Sequence, residues 1–447
     1  MENRMFSNAY LKKLIVPLIW EQLLSITVGM ADTMMIASAG EAAVSGVSLV
    51  DMINNLIISV LAALATGGAV VCSQRLGAKK ERDACQAANQ LMYTAGVAGL
   101  LIAAAAILLR RGLVGLFFGS IEQDVMDNAL IYLLITAMSF PFLAVYQSSA
   151  ALFRAMGNAR VTLRVSVIMN IINVCGNALC VYLLKMGAAG VAVPSLVSRA
   201  AAALLLTRML FRRQEEPLHL LRERIRPERD TIGKILSIGV PSGLENGIFQ
   251  LGRVLVVSII STFGTVQIAA NGVANSLDSV SIIMGQAMNL AMISVIGQCV
   301  GAQDEEQVVY YAKKLIRIAY WGTIPLCLTL MALLRPILSL YHLSPETTEL
   351  TWLLVMLHAG FAIPLWPLSF TLPNMLRACS DVRFTMYVSI LSMFMFRIGL
   401  SFLLGVWGGM GAVGVWIGMI VDWVFRSALF IWRVRKGGWK KTMKRSL

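Results

Sequence analysis

Residues 56–78 read LIISVLAALATGGAVVCSQRLGA, and residues 280–302 read VSIIMGQAMNLAMISVIGQCVGA. Both are apolar runs that close on Gln, two further residues and Gly-Ala: Gln74, Gly77 and Ala78 in the first, Gln298, Gly301 and Ala302 in the second, 224 residues on. A hydrocarbon core about 30 Å thick takes roughly 20 apolar residues of helix, so each run is long enough to cross a membrane. The same offset recurs outward from these two stretches. Pro17 and Glu21 match Pro241 and Glu245, Gly40 matches Gly264, and Gly190-Val191 matches Gly414-Val415. Arg154-Ala155, Arg160, Thr162 and Ser166 match Arg377-Ala378, Arg383, Thr385 and Ser389 at an offset of 223. The chain therefore repeats itself once, half against half.

The composition fits many such spans. Of 447 residues, 57% are hydrophobic and only 14% are charged. Mean hydropathy is +0.73. A soluble domain carries about 25% charged residues, so a disordered chain, a secreted disulfide scaffold and almost any soluble enzyme are excluded. The seven Cys form no CxxC or Cys/His cluster, which gives neither a disulfide framework nor a zinc site. Twelve apolar stretches are readable: 11–37, 43–72, 84–109, 129–153, 161–184, 188–211, 232–261, 266–300, 308–334, 351–376, 384–406 and 412–431. They are too long and continuous for the alternating segments of a membrane β-barrel. The first carries Glu21 and Asp32 and lacks a cleavage site, so it reads as a retained span. Pro194 in span 6, and Pro364, Pro367 and Pro373 in span 10, mark kinks or functional breaks.

The formal charge of +14 is distributed by topology. Thirty of the 38 Lys and Arg fall on the side that holds both termini, four on the other and four inside spans. The basic side is expected to be cytoplasmic, in the cell membrane. Six spans per half make the halves parallel, related by an axis along the membrane normal. The expected organisation is a six-helix N-terminal lobe at 1–211, a basic linker at 212–230, a six-helix C-terminal lobe at 231–433 and a basic tail at 434–447. The fold class is all-α integral membrane. A duplicated bundle of this kind suits transport by alternating access, with a site between or within its halves.

An ionisable residue inside a span is expensive and is a functional candidate by default. Six acids qualify: Glu21, Asp32, Asp51, Glu245, Asp278 and Asp422, beside Arg199, Arg253, Arg397 and Arg426. Asn170, Asn173 and Asn177 share one face of span 5. They either serve a site or hold helices together. Asp422 and Arg426 stand four apart and read as an intrahelical ion pair. Asp51 with Asn55, and Asn271, Asn275 and Asp278, form polar stripes. Met284, Met288 and Met292 are either lining for promiscuous apolar binding or lipid-facing filler.

Over its whole length the chain resembles the MATE (multidrug and toxic compound extrusion) family. The residues that carry the likeness are Asp32-Thr33, Gln74…Gly77-Ala78, Arg154…Gly157-Asn158, Gly190-Val191-Ala192, Pro241…Glu245 and Gln298…Gly301-Ala302. The resemblance implies a MATE-like fold and export of amphipathic, often cationic, organic compounds or drugs against inward H+ or Na+. It implies a cation or proton role for Asp32, with Asn173, Asn177 and Ser198 as partners and Na+ held at Asp32, Asn173 and Asn177. Sodium-sensitive branches carry an acid where this chain has Asn177, so strict sodium coupling is in doubt. Glu245 matches a C-lobe acid of other branches, but span 10 offers His358 and no carboxylate. Glu245, Glu21, Asn170, Asp278, His358 and Arg253 are thus candidates for a substrate cavity. Neither an enzyme nor a nucleic-acid binder is expected, since no catalytic spacing and no soluble basic domain is present. The alternative is a lipid-linked saccharide flippase, which would want a strongly cationic cavity. No cofactor beyond the coupling ion is expected, and the chain is expected to act as a monomer in the bilayer.

Overall fold

A computed structural model describes residues 4–119, 122–221 and 226–445, apart from the side chains of Met30, Thr33, Ala37 and Phe118. Thr33 of the Asp32-Thr33 motif and residues 222–225 of the expected linker therefore lie outside the description. Every regular element among the described residues is a helix. Eleven are long and apolar enough to cross a membrane, and a bent pair supplies the twelfth span.

The first compact unit comprises Asn8–Gly243. It holds α1 (Asn8–Ala37), α2 (Glu41–Gly77), α3 (Glu81–Leu108), the short α4 (Arg110–Phe118), α5 (Gln123–Met138), α6 (Phe140–Ala155), α7 (Ala159–Asn177) and α8 (Ala189–Arg212). The bent span is α5 with α6, which meet at 46°. Pro141, in the first turn of α6, lacks the N–H that would continue the α5 ladder. The Ser139 hydroxyl donates back to the Thr136 carbonyl at 2.6 Å, a bond that also bends helices. The core at one end is built of Val47, Val50, Leu133, Val181 and Val191. α7 runs on into a π-helical turn at Ala178–Leu183. There a Cβ on Gly176 would lie 2.7 Å from the Pro194 ring, so the glycine lets α7 lie close against α8.

The second unit comprises Leu244–Leu447 together with the chain's first residues. Its helices are the latter part of α9 (Arg229–Ser261), then α10 (Thr265–Ser281), α11 (Ile283–Gly301), α12 (Glu305–Ser339) and α13 (Pro345–Trp366). After a π-helical turn at Pro367–Thr371 come α14 (Leu372–Ala378), α15 (Val382–Ser392), α16 (Gly411–Lys436) and α17 (Trp439–Arg445). Proline cannot donate to the ladder and crowds the carbonyl before it, and Pro364, Pro367 and Pro373 bracket the π turn. Two further π-helical stretches, Met393–Leu400 and Leu403–Trp407, follow α15.

The repeat is visible in the backbone. Gly40 and Gly264 open α2 and α10 with φ of 102° and 97°, a conformation that favours glycine. The two Gln…Gly-Ala stretches end α2 and α11 by one device. Ala78 donates to the Gln74 carbonyl and Lys80 to Arg75, as Ala302 does to Gln298 and Asp304 to Cys299. The residues between, Lys79 and Gln303, are both left-handed, with φ of 58° and 56°.

The unit boundary falls inside α9, after Gly243. Close backbone packing explains this, since a Cβ on Gly67 of α2 would lie 2.6 Å from the Ile235 carbonyl oxygen. The expected linker also docks on the first unit: Asn89 donates to the Leu221 carbonyl, and Gln90 donates to that of Arg226. Residues 4–7 belong with the second unit, where Phe6 N donates to the Tyr311 hydroxyl at 2.7 Å. Gly67→Ala is expected to cost about 1–3 kcal/mol by overpacking. Gly96→Ala, where a Cβ meets nothing within 4 Å, should be neutral or slightly stabilising. Melting curves of the two purified variants check the contrast.

Candidate functional site

In the first unit, Asp32 on α1 meets α7. Asn177 Nδ2 donates to Asp32 Oδ1 at 2.7 Å and to Asn173 Oδ1 at 3.3 Å. Asn173 Nδ2 donates to Ser195 Oγ on α8 at 3.0 Å. The Ser195 hydroxyl donates to the Val191 carbonyl at 2.9 Å. Asn177 Oδ1 is buried and accepts no hydrogen bond. The i, i+4 spacing of Asn173 and Asn177 puts both amides on the face that α1 and α8 share, and the close Gly176–Pro194 packing keeps α8 within reach. Ser198 is buried one turn along α8, where its hydroxyl donates to the Ser195 carbonyl at 3.1 Å. Ser195, which sequence reasoning passed over, is the side chain bonded to Asn173. Asn170 lies a turn away and donates to Ser166 Oγ at 3.5 Å.

A second network borders this one. The Tyr132 hydroxyl donates to Asp51 Oδ1 at 2.9 Å, and Asn54 Nδ2 donates to the same oxygen at 3.3 Å. Asn54, not Asn55, is thus the partner of Asp51. Arg199 donates to the Ser139 hydroxyl at 2.7 Å, at the bend of the α5–α6 span. The charges of Asp51 and Arg199 both act on Asp32. Tyr132 carried no sequence signal, since one aromatic in an apolar run reads as core.

The repeated landmarks prove to be ion-pair partners. Glu21 accepts from Arg154 at 3.4 Å and from Thr162 at 3.2 Å. Its repeat mate Glu245 lies 2.8 Å from Arg377, takes the Ser389 hydroxyl, and has Arg426 at 3.9 Å. Glu21 and Glu245 therefore already hold cations of the chain's own. Glu245 does not meet Arg253. Asp422 and Arg426, expected to pair along one helix, also make contacts between helices, and the charge of Asp422 still acts on Arg426. Asp422 takes the Ser392 hydroxyl and stands 3.6 Å from Arg397. Arg426 points to Glu245 and over the Phe370 ring, at 4.7 Å.

Asp278 and His358 stand together, with Oδ1 and Nδ1 3.2 Å apart. The His358 ring packs edge-on against Trp423 and Trp416, at 5.1 and 5.9 Å between centroids. Both residues line a cavity of about 210 Å³ that Arg253 and Arg397 also face. Its remaining wall is aromatic and includes Phe249, Trp366, Phe370, Trp416 and Trp423. The π turn after Trp366 sets Trp366 and Phe370 in a stacked pair, 5.1 Å between centroids. A neighbouring cavity of about 310 Å³ shares Arg253, Asn275 and Trp416 with it. Among the described residues no cluster of three or more His, Cys, Asp or Glu could hold a metal. Of the oxygens expected to hold Na+, Asp32 Oδ1 and Asn173 Oδ1 accept from Asn177 Nδ2, and Asn177 Oδ1 accepts no hydrogen bond.

A duplicated helical membrane bundle with buried carboxylates and an aromatic cavity is the architecture of a secondary transporter. The MatE family model matches residues 17–179 and again 241–403, so the chain belongs to the MATE family of transporters. The two matches are themselves 224 residues apart. The chain is 24% identical over 438 residues to the probable multidrug resistance protein NorM of Thermotoga maritima, covering 96% of this chain and 92% of that one. It is 25% identical to the uncharacterized transporter YisQ of Bacillus subtilis, covering 98% and 99%. An outward-facing multidrug resistance MATE transporter of the MOP superfamily superposes with a TM-score of 0.90 at 19% identity, covering 97% and 96%. A Pyrococcus furiosus MOP superfamily transporter, described as having a binding pocket of reversed polarity, superposes at 0.89 and 19% identity, covering 96% of each chain.

Proposed function

We propose that this protein is a multidrug exporter that moves amphipathic organic compounds out of the cell in exchange for inward H+ or Na+. Asp32 is its coupling residue, and alternating access is its cycle. The observation that carries the reading is the Asp32–Asn177–Asn173–Ser195 chain, with a half-buried carboxylate at one end and an unfilled amide oxygen beside it. Such a group can take up a proton or a sodium ion and give it back when the helices around it shift. The names of the multidrug resistance relatives support the cargo class, and the basic-side charge bias supports cytoplasmic termini in the cell membrane. A saccharide flippase fits less well. Three of the four intramembrane Arg face an acid, Arg199 near Asp51, Arg397 at Asp422 and Arg426 at Glu245, so no strongly cationic chamber results.

Proteoliposomes holding the full-length protein test this. A fluorescent amphipathic compound is followed under an imposed proton gradient and, separately, an imposed sodium gradient. At least one gradient is expected to drive accumulation against the compound's own concentration difference. Accumulation under neither would remove the exchange mechanism, and the gradient that works names the ion.

A further inference from the structure

The last span, α16, ends in a run of cations. Arg433, Arg435 and Lys436 close it, and Lys440, Lys441, Lys444 and Arg445 follow on α17. No Asp or Glu lies between Arg433 and Arg445. Two carboxylates from elsewhere in the second unit reach the run. Asp381 takes Arg433 at 2.8 Å, and Glu305 takes Lys440 at 2.6 Å and Lys444 at 3.6 Å. Arg435, Lys436, Lys441 and Arg445 are exposed and pair with no acid among the described residues. The charge left over on this surface is therefore positive after both acids are counted. Local folding turns the run into a platform. Gly437 closes α16 with φ of 71°, and the Val434 carbonyl accepts from Gly437 N and from Trp439 Nε1, each at 3.2 Å. Trp439 and Met443 stand four apart on one face of α17 and are buried, and Gln303 Nε2 donates to the Met443 carbonyl at 3.4 Å. Lys441 and Arg445 each lie two residues on, about 200° round the helix, so they face away from the protein. Trp432 sets the level of the platform. It is 48% exposed on α16, with Lys436 Nζ 4.8 Å from its ring. Trp and Lys together at the end of an apolar span mark the boundary between hydrocarbon and headgroups.

We propose that the end of α16 and α17 form a docking surface for anionic phospholipid headgroups. The phosphodiester of a lipid such as phosphatidylglycerol sits among Arg435, Lys436, Lys441 and Arg445, and its acyl chains run along α16 beside Trp432. An anionic leaflet attracts every Lys or Arg held near it, and the attraction fades within a Debye length. Cations without a partner, fixed at headgroup depth, therefore gain most from it. Glu305 keeps Lys440 and Lys444 for the protein itself, which helps to hold α17 in place. A soluble anion would meet the same charges without the apolar flank at Trp432, so a lipid fits the surface better. The inference needs only the membrane-spanning fold, and it is independent of the cargo and of ion coupling.

Fluorescence quenching of the full-length protein in mixed micelles tests it. The probes are brominated phosphatidylglycerol and brominated phosphatidylcholine, and the Trp432 signal is isolated as the difference between the wild type and Trp432→Phe. Phosphatidylglycerol is expected to quench that signal at a mole fraction at least about fivefold lower than phosphatidylcholine. The variant Arg435→Gln/Lys436→Gln/Lys441→Gln/Arg445→Gln, read against its own Trp432→Phe counterpart, should lose the preference. In the wild type, 1 M salt should also reduce it, since the Debye length is then about 3 Å. Glycerol 3-phosphate, the soluble fragment of the headgroup, should leave it intact. All four side chains are exposed, and a melting curve of the variant controls for its fold. Equal quenching by the two lipids, a preference that survives in the fourfold variant or in 1 M salt, or displacement by glycerol 3-phosphate would overturn the proposal. Those outcomes leave gradient-driven exchange standing, because the lipids are read at equilibrium with no gradient.

Discussion

Asp32→Asn is expected to abolish gradient-driven accumulation while sparing the fold. The substitution is close to isosteric, and the new amide keeps an oxygen that can accept from Asn177 Nδ2, now 2.7 Å from Oδ1. What it removes is the one charge that can alternate between a bare carboxylate and a carboxylate holding H+ or Na+. The compound and the ion are linked by a coupling free energy of typically about 1–3 kcal/mol, or roughly 5–150-fold in affinity. Without a titratable or ligating acid that link is lost, so concentrative uptake should fall by at least about tenfold, toward the leak of empty vesicles. Exchange of labelled for unlabelled compound across the vesicle membrane needs no ion gradient and should persist. Measuring both fluxes on one preparation separates a coupling defect from a broken protein. Concentrative uptake at the wild-type rate would sink the assignment and move attention to Asp51, the carboxylate whose charge acts on Asp32, held by Tyr132 and Asn54.

How far such a site can be read from the chain alone depends on which interactions are local. The spans are legible because hydrocarbon imposes a length and a composition on every crossing segment. The repeat is legible because caps and turns are short-range: Gly40 and Gly264, and the Gln…Gly-Ala endings, recur because each needs one particular backbone geometry. The Asn173–Asn177 face follows from helical spacing for the same reason. Partners across helices are another matter. Ser198 and Ser195 differ by less than one turn, and only the approach of α8 to α7 decides that Ser195 meets Asn173. The spacing rule for Asp422 and Arg426 describes an exposed helix, where a neighbour four residues away is the best partner on offer. Buried among other helices, each also meets an opposite charge on another element, Asp422 with Arg397 at 3.6 Å and Arg426 with Glu245 at 3.9 Å. The π-helical turns are also invisible in a hydropathy profile, although the prolines at 364, 367 and 373 mark where one of them falls.

The second large effect is expected at Glu245, as a loss of stability. Glu245→Gln leaves Arg377 and Arg426 facing each other in a buried site without the carboxylate that lies 2.8 and 3.9 Å from them. Removing one partner of a buried ion pair typically costs about 3–5 kcal/mol, because the remaining charge is neither solvated nor matched. Glu21→Gln, at the repeat position, leaves only Arg154, at a longer 3.4 Å and from a carboxylate that is more exposed than Glu245, 13% against 3%. Its penalty should be smaller. For a unit of this size the Glu245 variant should melt lower by about 6 °C or more. The double variant Glu245→Gln/Arg377→Gln should recover part of that loss, since it removes a charge along with its partner. Thermal melts of the three variants in one detergent decide the matter. If Glu245→Gln melts like the wild type while the range of exported compounds changes, the carboxylate faces cargo rather than Arg377, and the ion pair that the repeat preserves in both halves is not what holds the second unit together.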